Sequence, residues 1–206
     1  TQNLDGTCPH PKLHPLPIGL DFHSIANYGK WGEWPAPPEL QEAWLREVIA
    51  RTKPNRERLL RVHADFHLSK PNHSHPWETR GEIQRQLSGH PDIAFQRFFL
   101  RRRWLWREKA RHAFVISPHG NGLDCHRTWE SLVLGCIVIV KRSPLDPLYE
   151  GLPVVIVEHW DEITKDKLRL WHEQHRDAFD RPEVQEKLTN RYWIDRVRKM
   201  TRERMG

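Results

Sequence analysis

The sequence predicts an α/β fold, a parallel sheet with helices on both faces in three layers. Three observations lead there. Residues 113–116, 137–140 and 153–157 (Ala-Phe-Val-Ile, Ile-Val-Ile-Val and Pro-Val-Val-Ile-Val) are apolar throughout, as strands covered on both faces are. Helical segments separate these runs, which is how parallel strands are joined. Finally, 206 residues suit one ordinary domain, and 37% hydrophobic content with ten Trp is enough for a core, against wholesale disorder.

In chain order, residues 13–18 form a short apolar run stopped by Gly19-Leu20-Asp21, the pattern of a brief strand entering a turn. A loop rich in Trp, Pro and Gly reaches Pro38. Leu40, Ala43, Trp44, Val48 and Ile49 keep helical spacing over 39–51, and Pro54 closes that helix. Residues 58–66 are the next strand, 69–76 a polar loop, 77–87 a helix ending at Ser88-Gly89, and 92–95 a short strand. A basic helix over 100–112 leads into the strand at 113–117. Strand, loop, helix and strand then follow to residue 141, with a helical turn at 145–149, a strand at 153–157 and helices from 161 onward, interrupted by Pro182. Five or six strands are expected.

Lys and Arg number 33 against 27 Asp and Glu, a formal charge of +6. A basic balance points to an anionic partner and leaves phosphorylated small molecules, nucleic acid and acidic membranes open. Cys8, Cys125 and Cys136 allow at most one disulfide and make no C-x-x-C pair, so neither a disulfide scaffold nor a cysteine zinc site is indicated. The longest apolar stretches fall far short of the roughly 20 residues of a membrane-spanning helix. The chain reads as soluble, and, opening on Thr1 without a basic-then-apolar leader, as having any signal or anchor outside it.

The densest text is Ser117-Pro-His-Gly-Asn-Gly-Leu-Asp124 and the helix after it. A parallel strand ending in a glycine-bearing loop brings backbone N–H groups and the positive end of a helix dipole to the carboxyl edge of the sheet, where anions bind. Gly120 and Gly122 allow close approach of the main chain, and Asn121 tolerates the left-handed conformation. Arg127 falls in the first helical turn and Glu130 about one turn on, a cation and a carboxylate suited to phosphate and to ribose or sugar hydroxyls. The alternative is an ordinary turn, with Asp124 as a helix cap and Arg127 and Glu130 as a surface pair.

The stretch Phe114-Val-Ile-Ser-Pro-His-Gly-Asn-Gly-Leu-Asp-Cys-His-Arg-Thr-Trp-Glu-Ser-Leu-Val-Leu-Gly-Cys-Ile-Val-Ile-Val140 resembles the donor-binding segment of exostosin-like glycosyltransferases, which have the GT-B architecture. Leu16-Pro-Ile-Gly-Leu-Asp21 is similar to the P-x-G-x-D element that opens the nucleotide-binding lobe of many such enzymes. Val138 stands where the family frequently has Pro. The resemblance spans about 13–163, specific over 114–140 and loose elsewhere. It implies a Rossmann-like lobe over 1–206, with 1–12 as a candidate remnant of a preceding lobe and 161–206 as C-terminal helices.

For the site, it implies a nucleotide-sugar such as a UDP- or GDP-sugar, held by Ser117, His119, Gly120, Asn121, Gly122, Asp124, Arg127 and Glu130, with Gly19, Asp21, Lys70 and Arg80 as secondary candidates. Arg127 would meet the pyrophosphate, and Glu130 the ribose or donor sugar. The acceptor would be a carbohydrate or glycan hydroxyl, no metal is called for, and the compartment stays open between cytoplasm and Golgi lumen. A full GT-B enzyme has two lobes and 206 residues have room for one, so the acceptor lobe, with its catalytic base, is expected to be missing.

Two other classes compete. On a strand, His63, Asp65 and His67 share one face, and two His with a carboxylate can ligate zinc or iron for a hydrolase or oxygenase; 14 histidines also make such triplets by chance. The run from Arg101 to Arg111, basic with interleaved Trp, has the composition of a nucleic-acid surface. Its helical wheel instead directs Trp104, Leu105, Glu108 and His112 to the sheet and Arg103, Arg107 and Arg111 to solvent, an ordinary solvated face. The loop bearing Trp31 and Trp34 is a candidate lining of the cleft between lobes. Cys125 and Cys136 are expected to be small buried residues rather than nucleophiles.

Overall fold

The computed structural model describes residues 13–68, 78–120 and 122–205. Among these, five strands form one sheet: β1 (Leu59–Ala64), β2 (Ile93–Phe95), β3 (His112–Ile116), β4 (Ile137–Lys141) and β5 (Val154–Val157). Their order is β2-β1-β3-β4-β5 and every neighbouring pair is parallel, a Rossmann-like α/β sheet. The helices are α1 (His23–Asn27), α2 (Pro38–Ala50), α3 (Arg80–Leu87), α4 (Arg102–Lys109), α5 (His126–Val133), α6 (Lys165–His175), α7 (Pro182–Lys187) and α8 (Asn190–Met205).

Period-two alternation within the strands sends apolar side chains both ways, so both faces need cover. Phe114, Ile116, Ile137 and Ile139 pack with Ile83 and Leu87 of α3 and Leu168 and Trp171 of α6. Val115 meets Leu45 and Val48 of α2 and Trp106 of α4, while Val138 and Val140 meet Trp129 and Leu132 of α5. The turn from α5 into β4 explains the Gly135-Cys136 pair. Gly135 has φ +76° and donates to Leu132 O at 2.9 Å, and Cys136 N–H donates to Ser131 O at 2.8 Å. That is a Schellman cap, for which glycine is the natural residue.

Two expectations need correction. Residues 13–18 form no strand: Pro15 and Pro17 have no N–H to give a ladder, and the Ile18 N–H goes to Asp124 Oδ2 at 2.7 Å. Helix α4 also turns a different face inward. Arg102, Trp106 and Lys109, at i, i+4 and i+7, are buried, while Trp104 is 58% exposed. The basic residues lie inside because carboxylates await them there.

Asn55, 3% exposed, holds the start of the sheet together, donating from Nδ2 to Ala113 O and Gly135 O, both at 2.9 Å. Asn55→Ala leaves both carbonyls without that donor and is expected to lower the unfolding free energy by about 1–3 kcal/mol in urea denaturation. A loss within about 0.5 kcal/mol of zero, the range of ordinary surface changes, would contradict this.

Candidate functional site

From β1 the chain moves outward to β2 and then returns to the other side of β1 to form β3. Ligands of open α/β sheets collect at such a reversal, beyond the carboxyl ends of the strands. Here those ends are Asp65-Phe66-His67 after β1 and Ser117 to Gly120 after β3. A cavity of about 890 Å³ opens beside them.

Five charged side chains lie almost out of water on its wall. Lys109 Nζ is 2.9 Å from Asp65 Oδ2, Arg127 Nε is 3.1 Å from Asp65 Oδ1, and Lys109 Nζ is 3.7 Å from Glu130 Oε2. Arg102 pairs with the remaining Glu130 oxygen. Burial alone would raise the Asp65 carboxyl, but Lys109 and then Arg127 hold it well below the ordinary carboxylate range. The network joins the end of β1 to α4 and α5.

Arg80 completes the set. Its Nε donates to His119 O at 2.8 Å and its Nη1 reaches His67 O at 3.4 Å, so one guanidinium spans the loops after β3 and β1. A Cβ on Gly120 would stand 2.7 Å from Arg80 Nη2, so a larger residue there would have to displace the end of the Arg80 side chain. Burial first, and then repulsion from Arg127, lowers the Arg80 pKa. Among the described residues, Arg102, Lys109 and Arg127 form their ion pairs with Asp65 and Glu130 and Arg80 forms none, so within this group four cations stand against two carboxylates, a formal excess of two positive charges.

Trp31 also lines the cavity, at some cost to the backbone. Trp31 (φ +51°) and Gly32 (φ +76°) occupy a tight turn closed by Lys30 N to Glu33 O at 3.1 Å and Glu33 N to Lys30 O at 3.0 Å. A bulky residue at positive φ costs on the order of 1–3 kcal/mol and persists only where its surroundings hold it. The Trp31 carbonyl accepts from Arg102 N at 3.0 Å and its ring lies 4.4 Å from the Arg102 guanidinium. The Nε–H of Arg102 and the indole N–H of Trp106, both on cavity-lining residues, are buried without a partner among the described residues.

Of the residues the sequence singles out, Asp21, Arg80, Gly120, Gly122, Asp124, Arg127 and Glu130 border the cavity. Others serve the loops around it. Ser117 Oγ is 2.9 Å from Thr128 Oγ1 and ties β3 to α5, His119 gives its carbonyl to Arg80, and Gly19 O lies 2.7 Å from His126 Nδ1. Gly122 O receives the Gly120 N–H at 3.0 Å, closing the loop. Asp124, though at the cavity edge, is a staple whose carboxylate accepts from Ile18 N, Cys125 N and the Trp129 indole. Asn121 and Lys70 lie outside the described residues.

The triplet His63, Asp65 and His67 does not assemble. β1 ends at Ala64, Asp65 is engaged by Lys109 and Arg127, and the three are not near enough to share an ion. Arg102, Trp106 and Lys109 belong to the basic run 101–111, which the sequence marks as a candidate nucleic-acid surface and not as part of this cavity, although their spacing of four and three is a stripe along one helical face. Placing Asp65 opposite that stripe would have found them. No protein-family model and no curated protein matches the chain.

His63 is 2% exposed and neither ring nitrogen has a hydrogen-bond partner among the described residues. Burial, helped by Lys109 and His112 and opposed by Asp65, drops its pKa from 6.5 to about 4. The unfolded imidazole therefore protonates first as pH falls, and this contribution to stability, full above pH 6.5, is lost on the way to pH 4. Urea titrations across that window are expected to show a loss of roughly 3 kcal/mol from this group, absent in His63→Leu. Identical pH profiles for the two proteins would contradict the assignment.

Proposed function

We propose that the chain is the donor-binding lobe of a GT-B glycosyltransferase, holding a nucleotide-sugar and helping transfer its sugar to a hydroxyl of a glycan acceptor. The observation that carries this reading is the juxtaposition of Arg80 and Arg127 beside Gly120, where the sheet order reverses. Neighbouring guanidiniums with one carboxylate against them suit a ligand bearing more than one negative charge, and their forked donors match phosphate oxygens. A cavity of about 890 Å³ is large enough for a nucleotide-sugar.

In that role Arg80 and Arg127 hold the diphosphate, with backbone N–H groups at the start of α5, where no side chain among the described residues caps the helix. Glu130 keeps lone pairs beyond its two cations for a ribose or sugar hydroxyl. The unpartnered N–H groups of Arg102 and Trp106 offer donors to a sugar oxygen. During transfer the acceptor oxygen bonds to the anomeric carbon as the bond from that carbon to the diphosphate breaks, and the electron pair departs with the diphosphate. The two arginines stabilise the charge that develops there. A base for the acceptor hydroxyl belongs, on this reading, to a second lobe.

Calorimetry with UDP and GDP tests the proposal. At least one should bind, and Arg127→Ala should weaken it by about 1.5–3 kcal/mol, the scale of a hydrogen bond to a charged group. Glu130→Gln should reduce affinity for the matching nucleotide-sugar more than it reduces thermal stability. Absence of binding by the intact chain, or unchanged affinity in Arg127→Ala with the fold retained, would remove the reading.

A further inference from the structure

The geometry points to a transition-metal site made by the side chains of Asp21, His23 and His126, distinct from the arginine side chains assigned to the diphosphate. Each of the three offers one ligand atom within 4.8 Å of the other two. They come from distant parts of the chain, the segment entering α1 and the first turn of α5, and Asp21 and His126 border the cavity.

The charge balance of Asp21 is the first support. It is 7% exposed, yet among the described residues no Lys or Arg pairs with it. Its contacts are Ser24 N–H at 3.1 Å, Ser24 Oγ at 2.9 Å and His23 Nδ1 at 3.0 Å. Asp65 and Glu130 have lysine and arginine partners, and Asp124 has three N–H groups. A buried carboxylate is costly unless it is paired or coordinates a metal, and among the described residues Asp21 has no permanently charged cation against it.

The imidazoles supply the second. His126 Nδ1 lies 2.7 Å from Gly19 O, and a carbonyl can only accept, so Nδ1 carries the proton and Nε2 keeps its lone pair. A backbone carbonyl accepting from one ring nitrogen, with the other left to bind, is the usual way a metal-binding imidazole is fixed. The His23 and His126 rings are 5.8 Å apart, and the His23 side chain is 69% exposed, leaving an ion a way in. The 3.0 Å from His23 Nδ1 to Asp21 Oδ1 is also close to the separation of adjacent donors around an ion bound at about 2.1 Å. Two nitrogens and one oxygen suit Zn²⁺ and its neighbours rather than Mg²⁺ or Ca²⁺, with a position left for water.

Zn²⁺ alone, added to the nucleotide-free chain in a calorimeter, tests this site. Saturable binding of one ion is expected, weakened at least about tenfold in His126→Gln and in His23→Gln. His23 is mostly exposed, so loss of binding in His23→Gln with an unchanged thermal midpoint cannot be ascribed to unfolding. No saturable binding up to about 1 mM would overturn the site. So would binding that survives in both variants, since that places the ion on other histidines. The outcome is independent of the proposed function, because UDP and GDP affinity measured in chelator reports on the arginines alone.

Discussion

Asp65 meets Lys109 and Arg127 beyond the reach of water, and the rest of the site is arranged about that contact. Its side chain is 5% exposed, and those of Lys109 and Arg127 are 1% and 10% exposed. Such a cluster is weak evidence of stability, because stripping water from the ions offsets their attraction. Its consequence is geometric. Removing one member leaves a buried charge unmatched at a cost of about 3–5 kcal/mol, so the positions of β1, α4 and α5 are interdependent. Arg127 is held in place before any ligand arrives, which reduces the ordering that binding would otherwise require.

The sheet explains why that contact lies where it does. Reversal of strand order at β1 leaves a crevice between the loops that follow β1 and β3, and Arg80 bridges both through the carbonyls of His67 and His119. Gly120 admits the bridge. The strained Trp31 turn sets an indole against Arg102, whose guanidinium also lies 5.0 Å from the Trp106 ring. Strain of this kind is tolerated where neighbouring contacts over-determine it, and it collects at binding sites.

The sheet was legible because strands covered on both faces leave uninterrupted apolar runs, and those at 113–116, 137–140 and 153–157 each lie in or overlap a strand. Arg127 and Glu130 were legible from their places in a helix that follows a glycine loop. The buried face of α4 was not. A helical wheel ranks residues by polarity, and Arg102 and Lys109 face inward only because Asp65 and Glu130 arrive from other elements. Likewise Asp65 drew notice as a metal ligand, since alternation along a strand says nothing of a lysine 44 positions away. Residues 13–18 misled through their apolar side chains, while prolines at 15 and 17 had removed the N–H groups a ladder needs.

The proposed role depends on Arg80 and Arg127 receiving a diphosphate beside Gly120. A crystal structure of the chain soaked with a saturating nucleoside diphosphate locates that group directly. Both phosphates are predicted to lie within hydrogen-bond distance of Arg80 and Arg127 beside Gly120, with the Asp65 contacts intact. A nucleotide bound elsewhere, or a cavity without one at saturating concentration, would contradict the account.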